Sequence, residues 1–145
     1  MYDASGLGED QGLQAVQAGA GGSLPVLYPT LLRNSSQFSQ PPRVYKLMGP
    51  DGKRYGAYRM VMNRTNANGE YYGLQGTTWK DPPILDDAHD EVPVGKRVFE
   101  LHYDGDRVRL VAWRTKHGVY WISNTLLQTL SKRQMLAIAR STRLP

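Results

Sequence analysis

The chain has 145 residues, 18 Lys+Arg against 13 Asp+Glu for a formal net charge of +5, and 40% hydrophobic residues. That is the size of one domain with a modest core, too apolar for a disordered chain, and it contains no apolar run of the ~18–20 residues a membrane span requires. It has no cysteine, which excludes a disulfide scaffold, a thiol nucleophile and a Cys-based zinc site.

Residues 1–23 carry six glycines, no basic residue and only the acids Asp3, Glu9 and Asp10. No basic stretch followed by an apolar core marks a signal peptide, so the chain reads as cytoplasmic or as cut from a longer protein. Leu7, Leu13 and Val16 supply one weak helical turn at most. The glycines predict a flexible linker over 1–23, ahead of a single domain over 24–145.

Within the domain, residues 24–29 are apolar and Pro-punctuated, which suits an extended edge segment. A polar stretch over 34–40 leads to Pro41-Pro42. Residues 43–48 and 54–63 alternate, joined by the turn signal Gly49-Pro50-Asp51-Gly52. Val44 and Lys46 face one way and Tyr45 and Leu47 the other. In the next strand Tyr55, Ala57, Arg59 and Val61 oppose Gly56, Tyr58, Met60 and Met62. Asn68-Gly69 predicts a turn, and residues 70–79 a third strand, in which Gly73 and Gly76 signal a bulge or a close backbone approach. Residues 80–95 read as a long loop with Asp86, Asp87, Asp90 and Glu91.

Asp104-Gly105 predicts a two-residue hairpin between 97–103 and 106–113. That register sets His102 against Arg107, Leu101 against Val108, Glu100 against Arg109 and Phe99 against Leu110. One face is then dry (Phe99, Leu101, Val108, Leu110, Ala112) and the other wet (Glu100, His102, Arg107, Arg109). Residues 119–124 make a further strand. Ser131 and Gln134 have capping-box spacing, Leu130 and Met135 that of a hydrophobic staple. Met135, Leu136, Ile138 and Ala139 form the buried stripe of a C-terminal helix. The predicted fold is α+β: an antiparallel meander of about six strands with this helix packed across the dry face.

Three blocks resemble a region of actinobacterial cell-envelope proteins: Glu70-Tyr71-Tyr72-Gly73-Leu74-Gln75-Gly76-Thr77-Thr78-Trp79 with Asp81-Pro82-Pro83-Ile84-Leu85; Val111-Ala112-Trp113-Arg114-Thr115 with Val119-Tyr120-Trp121-Ile122-Ser123-Asn124-Thr125-Leu126; and Gln134-Met135-Leu136-Ala137-Ile138-Ala139-Arg140-Ser141. The region follows the catalytic domain of the LytR–CpsA–Psr (LCP) family, whose members transfer glycopolymers from a polyprenyl carrier to peptidoglycan. The resemblance covers residues 24–144. It implies an extracytoplasmic accessory domain, tethered to the membrane through a parent protein and linked to an LCP catalytic domain. This chain is too short to hold that domain, so no catalytic residue carries over. A cytoplasmic location stays open.

The residues themselves point to no reaction and no cofactor. His89, His102 and His117 read as surface histidines, with no nucleophile elbow beside them. The acidic loop at 86–91 matches no calcium-loop spacing and reads as a solvated loop, so no metal is expected. The charge asymmetry carries more. From Arg107 onward there are eight basic residues and no acid, a balance that attracts polyanions: wall glycopolymer, anionic lipid headgroups or nucleic acid. The candidate ligand residues are Arg107, Arg109, Arg114 and Lys116, with Trp79 and Trp121 as aromatic platforms. The ordinary reading beside it is solubilising charge and core aromatics. A nucleic-acid-binding domain is the rival function, although no helix-turn-helix, zinc site or RNP-like strand is present.

Overall fold

The computed structural model describes residues 1–20, 22–65 and 69–145. The chain opens with a short strand β1 (Tyr2–Asp3), helix α1 (Ser5–Gln17) and β2 (Leu31–Leu32), which pairs with β1. The alternating stretches then build one antiparallel sheet from β3 (Ser36–Phe38), β4 (Arg43–Met48), β5 (Arg54–Arg64), β6 (Tyr71–Thr77), β7 (Asp90–Val94), β8 (Arg97–Asp104), β9 (Arg107–Arg114) and β10 (Val119–Ser123). Their order is β3-β5-β6-β10-β9-β8-β7, with β4 also on β5. Helix α2 (Lys132–Arg140) covers one face. The α+β class is as expected. The sheet has eight strands because residues 36–38 and 90–94, read as loop, pair along its edges. Pro93 fits in β7 because an edge strand can forgo a backbone donor. Of the expected Asn68-Gly69 turn, Gly69 has φ +78°, and Asn68 lies outside the described residues.

The face beneath α2 is an aromatic core. In register across four strands stand Tyr58, Gly76, Tyr120 and Trp113. A Cβ on Gly76 would lie 2.7 Å from the Tyr58 ring and 2.8 Å from that of Tyr120, so glycine makes the space the rings fill. Phe99 meets Trp113 edge-on at 5.6 Å, and Trp113 stacks on Tyr120 at 5.7 Å. The tyrosine hydroxyls then hold the extended segment that crosses this face. Tyr58 Oη donates to the Leu27 carbonyl at 2.7 Å and accepts from the Leu27 amide at 2.9 Å, and Tyr120 Oη donates to the Pro25 carbonyl at 2.6 Å. Burial raises the pKa of both phenols, so they remain donors.

Within the stretch expected to be a linker, residues 2–3 and 5–17 instead form β1 and α1. Helix α1 buries Gly8, Gln11, Gly12 and Ala15 and exposes Leu7, Leu13 and Val16 by 52%, 45% and 44%. Its contact stripe has helical spacing but is made of small residues, so the large apolar positions point the wrong way to reveal it. Gly19, at φ +108°, ends the helix in a Schellman motif. The Gly19 amide donates to the Val16 carbonyl at 3.0 Å and the Ala20 amide to that of Ala15 at 2.9 Å.

The β8–β9 register also differs from expectation. Asp104 pairs with Arg107 and Tyr103 with Val108. A bulge follows, after which His102 pairs with Leu110, Leu101 with Val111 and Glu100 with Ala112. The extra residue swaps the faces of β9 beyond the bulge. Val111 and Trp113 join the α2 side, while Leu110 and Ala112 turn to the other. The second face is not simply wet either. The connection from central β6 to edge β7 must cross β10, β9 and β8, and it does so over this face. Its 3-10 turn, Pro83–Leu85, sets Leu85 on Leu110, Ala112, Val119 and Trp121.

Candidate functional site

The crossing connection divides the second face into a covered half and an open half. A straight row of paired residues runs through both: Arg43, Arg59, Gln75, Trp121, Ala112, Glu100 and Glu91. Each end sets two like charges on facing positions of neighbouring strands, an arrangement that destabilises a sheet unless a counter-charge is supplied.

At the acidic end the protein supplies it. Arg114 Nε donates to Glu100 Oε2 at 2.7 Å, its Nη1 to the Lys80 carbonyl at 2.8 Å and to Asp81 Oδ1 at 3.3 Å. The hydrogen bond to Glu100 raises the arginine's pKa above its ordinary value. Arg114 thus locks the crossing connection to the sheet. At the basic end no such partner exists among the described residues. Arg43 and Arg59 are both exposed, and neither takes part in any of the five ion pairs among the described residues.

The neighbours of that arginine pair are polar and aromatic. The Arg43 guanidinium lies 5.8 Å from the centre of the Tyr45 ring. Gln75 Nε2 donates to Tyr45 Oη at 2.9 Å, and Trp121 Nε1 donates to Gln75 Oε1 at 2.9 Å. This relay fixes the amide orientation and anchors Tyr45 to the core. Tyr45 also lines a cleft of about 420 Å³ with Val44, Lys46, Gly56, Leu24 and Ser23, where the chain after α1 passes the β4–β5 edge. Two unpaired guanidiniums beside a phenol and an oriented amide can hold an anionic group and stack on a sugar ring.

The six residues expected to bind ligand do not converge. Arg107 donates to the Gln128 carbonyl from Nε at 3.2 Å and Nη2 at 2.7 Å. Arg109 is the exposed residue of the bulge, not the partner of Glu100. Arg114 is bound to carboxylates, and Lys116 is exposed in the turn before β10. Trp79 stacks on Tyr55 at 5.4 Å and 10°. Trp121 is buried, as is its neighbour Tyr120, so it offers no aromatic platform. Tyr71 and Tyr72 take opposite faces of β6, Tyr71 outside and Tyr72 inside.

The histidines form no catalytic pairing: among the described residues no imidazole bonds to a Ser or Thr hydroxyl. His89 Nδ1 accepts from the Tyr103 amide at 3.0 Å. His102 is buried rather than on the surface, and its Nε2 has no partner. Burial and the nearby Arg109 lower its pKa, which keeps it neutral. No group of three acidic or histidine residues among those described could hold a metal ion.

The sequence reading missed Arg43, Tyr45, Arg59 and Gln75 because the row exists only once β4, β5 and β6 are in register. The alternation of Tyr55, Ala57, Arg59 and Val61 signalled one face, and the tight turn at 49–53 would have set the partner. Compared with family models, with curated proteins and with solved structures, the chain matches none.

Proposed function

We propose that this chain is a non-catalytic, extracytoplasmic binding domain of an LCP-type cell-envelope protein, and that it contacts anionic wall glycopolymer through the open half of the sheet. The observation that carries the binding reading is the facing pair Arg43 and Arg59, in no ion pair among the described residues and flanked by Tyr45 and Gln75. A polymer of sugars or polyols joined by phosphates offers an anion for the guanidiniums and ring faces for the tyrosine. Two of the three sequence blocks that resemble the envelope proteins meet on this face, which supports the wider reading: Asp81, Leu85, Arg114 and Trp121 together build its covered half.

The test is co-sedimentation with purified wall polymer at low and moderate salt, comparing the native chain with an Arg43→Ala/Arg59→Ala variant and with Arg107→Ala/Arg109→Ala. The first variant is expected to lose about tenfold or more in affinity, with the salt sensitivity of exposed charge contacts, and the second to lose little. Equal binding by all three, or no binding by the native chain at low salt, refutes the reading. Tighter binding to DNA than to wall polymer favours the nucleic-acid rival instead.

A further inference from the structure

The loop between β10 and α2 puts two adjacent leucines in solvent, Leu126 at 89% and Leu127 at 82% exposure, the most exposed large apolar side chains of the described residues. This is not a frayed segment. Asn124 Oδ1 accepts from the Thr125 and Leu130 amides at 2.7 and 3.1 Å, and Asn124 Nδ2 donates to the Val108 and Leu130 carbonyls at 2.8 and 2.9 Å. Thr125 Oγ1 accepts from the Thr129 amide at 2.9 Å, and the Gln128 amide donates to the Thr125 carbonyl at 2.9 Å. Arg107 clasps the Gln128 carbonyl from the β8–β9 hairpin. Gln128 itself sits at φ +56°, a conformation a non-glycine residue adopts at a cost. A dense bond set and a strained residue therefore hold two leucines outward, where they gain nothing from folding.

The charge around this tip is one-sided. Lys132 and Arg133 are exposed at the start of α2, whose N-terminal end adds a positive partial charge. With Leu136, Ala137 and Arg140 they line an open groove of about 440 Å³ along the helix. Of the carboxylates that bond the loop, Glu70 reaches the Thr129 side chain but is paired with Arg64 and Arg33, and Asp104 accepts from Gln128 Nε2 at 2.7 Å. Arg107, bound to the same glutamine, offsets it.

We propose that Leu126 and Leu127 insert into the interface of an anionic lipid bilayer, with Lys132, Arg133 and Arg140 at the headgroup phosphates. A protein partner is the poorer occupant. Two side chains on a convex turn fall far short of the ~800 Å² per partner that a specific protein interface buries, whereas a bilayer takes a wedge without matching its shape. Apolar insertion next to a few cations gives weak, reversible attachment that depends on anionic lipid and on salt. This inference involves none of the residues proposed to bind wall polymer, so either can fail alone.

The experiment uses the full chain with phosphatidylcholine vesicles, with and without phosphatidylglycerol, at low and high salt. Because the chain has no cysteine, Leu127→Cys carries a single environment-sensitive fluorophore, and Lys53→Cys, exposed in the β4–β5 turn, is the control. Expected are a blue shift of the Leu127→Cys label alone, on anionic vesicles only, and a loss of binding of about tenfold or more in Leu126→Ser/Leu127→Ser at unchanged melting temperature. Lys132→Gln/Arg133→Gln/Arg140→Gln should abolish the preference for phosphatidylglycerol. The proposal is overturned if anionic vesicles neither shift the label nor bind the native chain, or if the double-serine variant binds as well as native. It is also overturned if light scattering shows a native dimer that the serines dissolve, which would make a second copy the occupant.

Discussion

Helix α2 meets the sheet with large apolar side chains, whereas helix α1 meets its neighbours with almost none. Met135, Ile138 and Ala139 of α2 are fully buried over β9 and β10, and both ends of the helix are closed. Ser131 Oγ accepts from the Gln134 amide at 3.1 Å, and the Ser131 amide donates to Gln134 Oε1 at 2.9 Å. At the other end a distant residue serves: Arg97 donates to the Ala139 carbonyl at 3.1 Å and to Thr142 Oγ1 at 2.8 Å while lying 5.5 Å over the Trp113 ring. Helix α1 has no side-chain hydrogen bond from its N-cap residue and no charge in its first or last turn that favours the helix. It is held because Gly8 and Gly12 let Tyr28 and Pro29 come in to backbone distance. The Ala4 amide donates to the Thr30 carbonyl at 2.8 Å, and Gln11 Nε2 to the Gln40 carbonyl at 3.1 Å. Backbone proximity thus replaces apolar area, and the two kinds of docking should fail under opposite substitutions: loss of atoms for α2, gain of atoms for α1.

The largest effect should follow from removing α1 altogether. Deleting residues 1–18 uncovers Tyr28 and Leu32 and leaves β2 without β1. The expected cost is about 4–5 kcal/mol, or roughly 15 °C in melting temperature. A melting temperature within a degree or two of native would restore the linker reading. In α2, Ile138→Ala removes buried atoms from a filled core and should cost about 3 kcal/mol in chemical denaturation. The matching substitution in α1 adds one carbon. A Cβ on Gly8 would clash with the Pro29 carbonyl oxygen, so Gly8→Ala must push the helix off a backbone atom. We expect it to cost about 2–3 kcal/mol although alanine is the better helix former. A neutral Gly8→Ala would mean that α1 is not docked as described.

The same contrast governs what the sequence discloses. Helix α2 was legible from its cap, its staple and its apolar stripe, all lying within residues 130–139. Strands β4 and β5 were legible from alternation, β8 and β9 from the Asp104-Gly105 turn between them, and β6 and β10 from their aromatic, threonine and β-branched residues; the two faces expected for β5 separate as read, with Tyr58, Met60 and Met62 in the core. Helix α1 was hidden because its large residues Leu7, Leu13 and Val16 face solvent; the signal that remains is the spacing of Gly8, Gln11, Gly12 and Ala15. The β8–β9 register was misread because a bulge leaves no mark in composition, and that one slip reassigned Glu100 from Arg109 to Arg114. The open arginine row was missed because Arg43 and Arg59 are sixteen positions apart and meet only through the sheet. Trp121 looked available because its cover, Leu85, arrives from a loop that crosses three strands. Local signals survive in the sequence; contacts between distant segments do not.

Two smaller substitutions sharpen the comparison between the helices. Ser131→Ala deletes one acceptor of the capping box and should cost α2 about 1 kcal/mol, a loss that Ser131→Asp should largely restore. The smallest effect has the opposite sign and belongs to α1. Gly6 lies within α1 on its exposed side, and a Cβ there would meet nothing within 4 Å. Alanine at that position gains helix propensity and restricts the unfolded chain without touching a neighbour, so Gly6→Ala should stabilise the protein by about 0.5–1 kcal/mol. Gly6 and Gly8 are two residues apart on the same helix and carry the same intrinsic penalty. An opposite sign in thermal denaturation would therefore isolate the contact with Pro29 as the reason α1 needs its glycines. If Gly6→Ala instead destabilises as much as Gly8→Ala, the helix is not the native state of this segment and its docking through small residues is refuted.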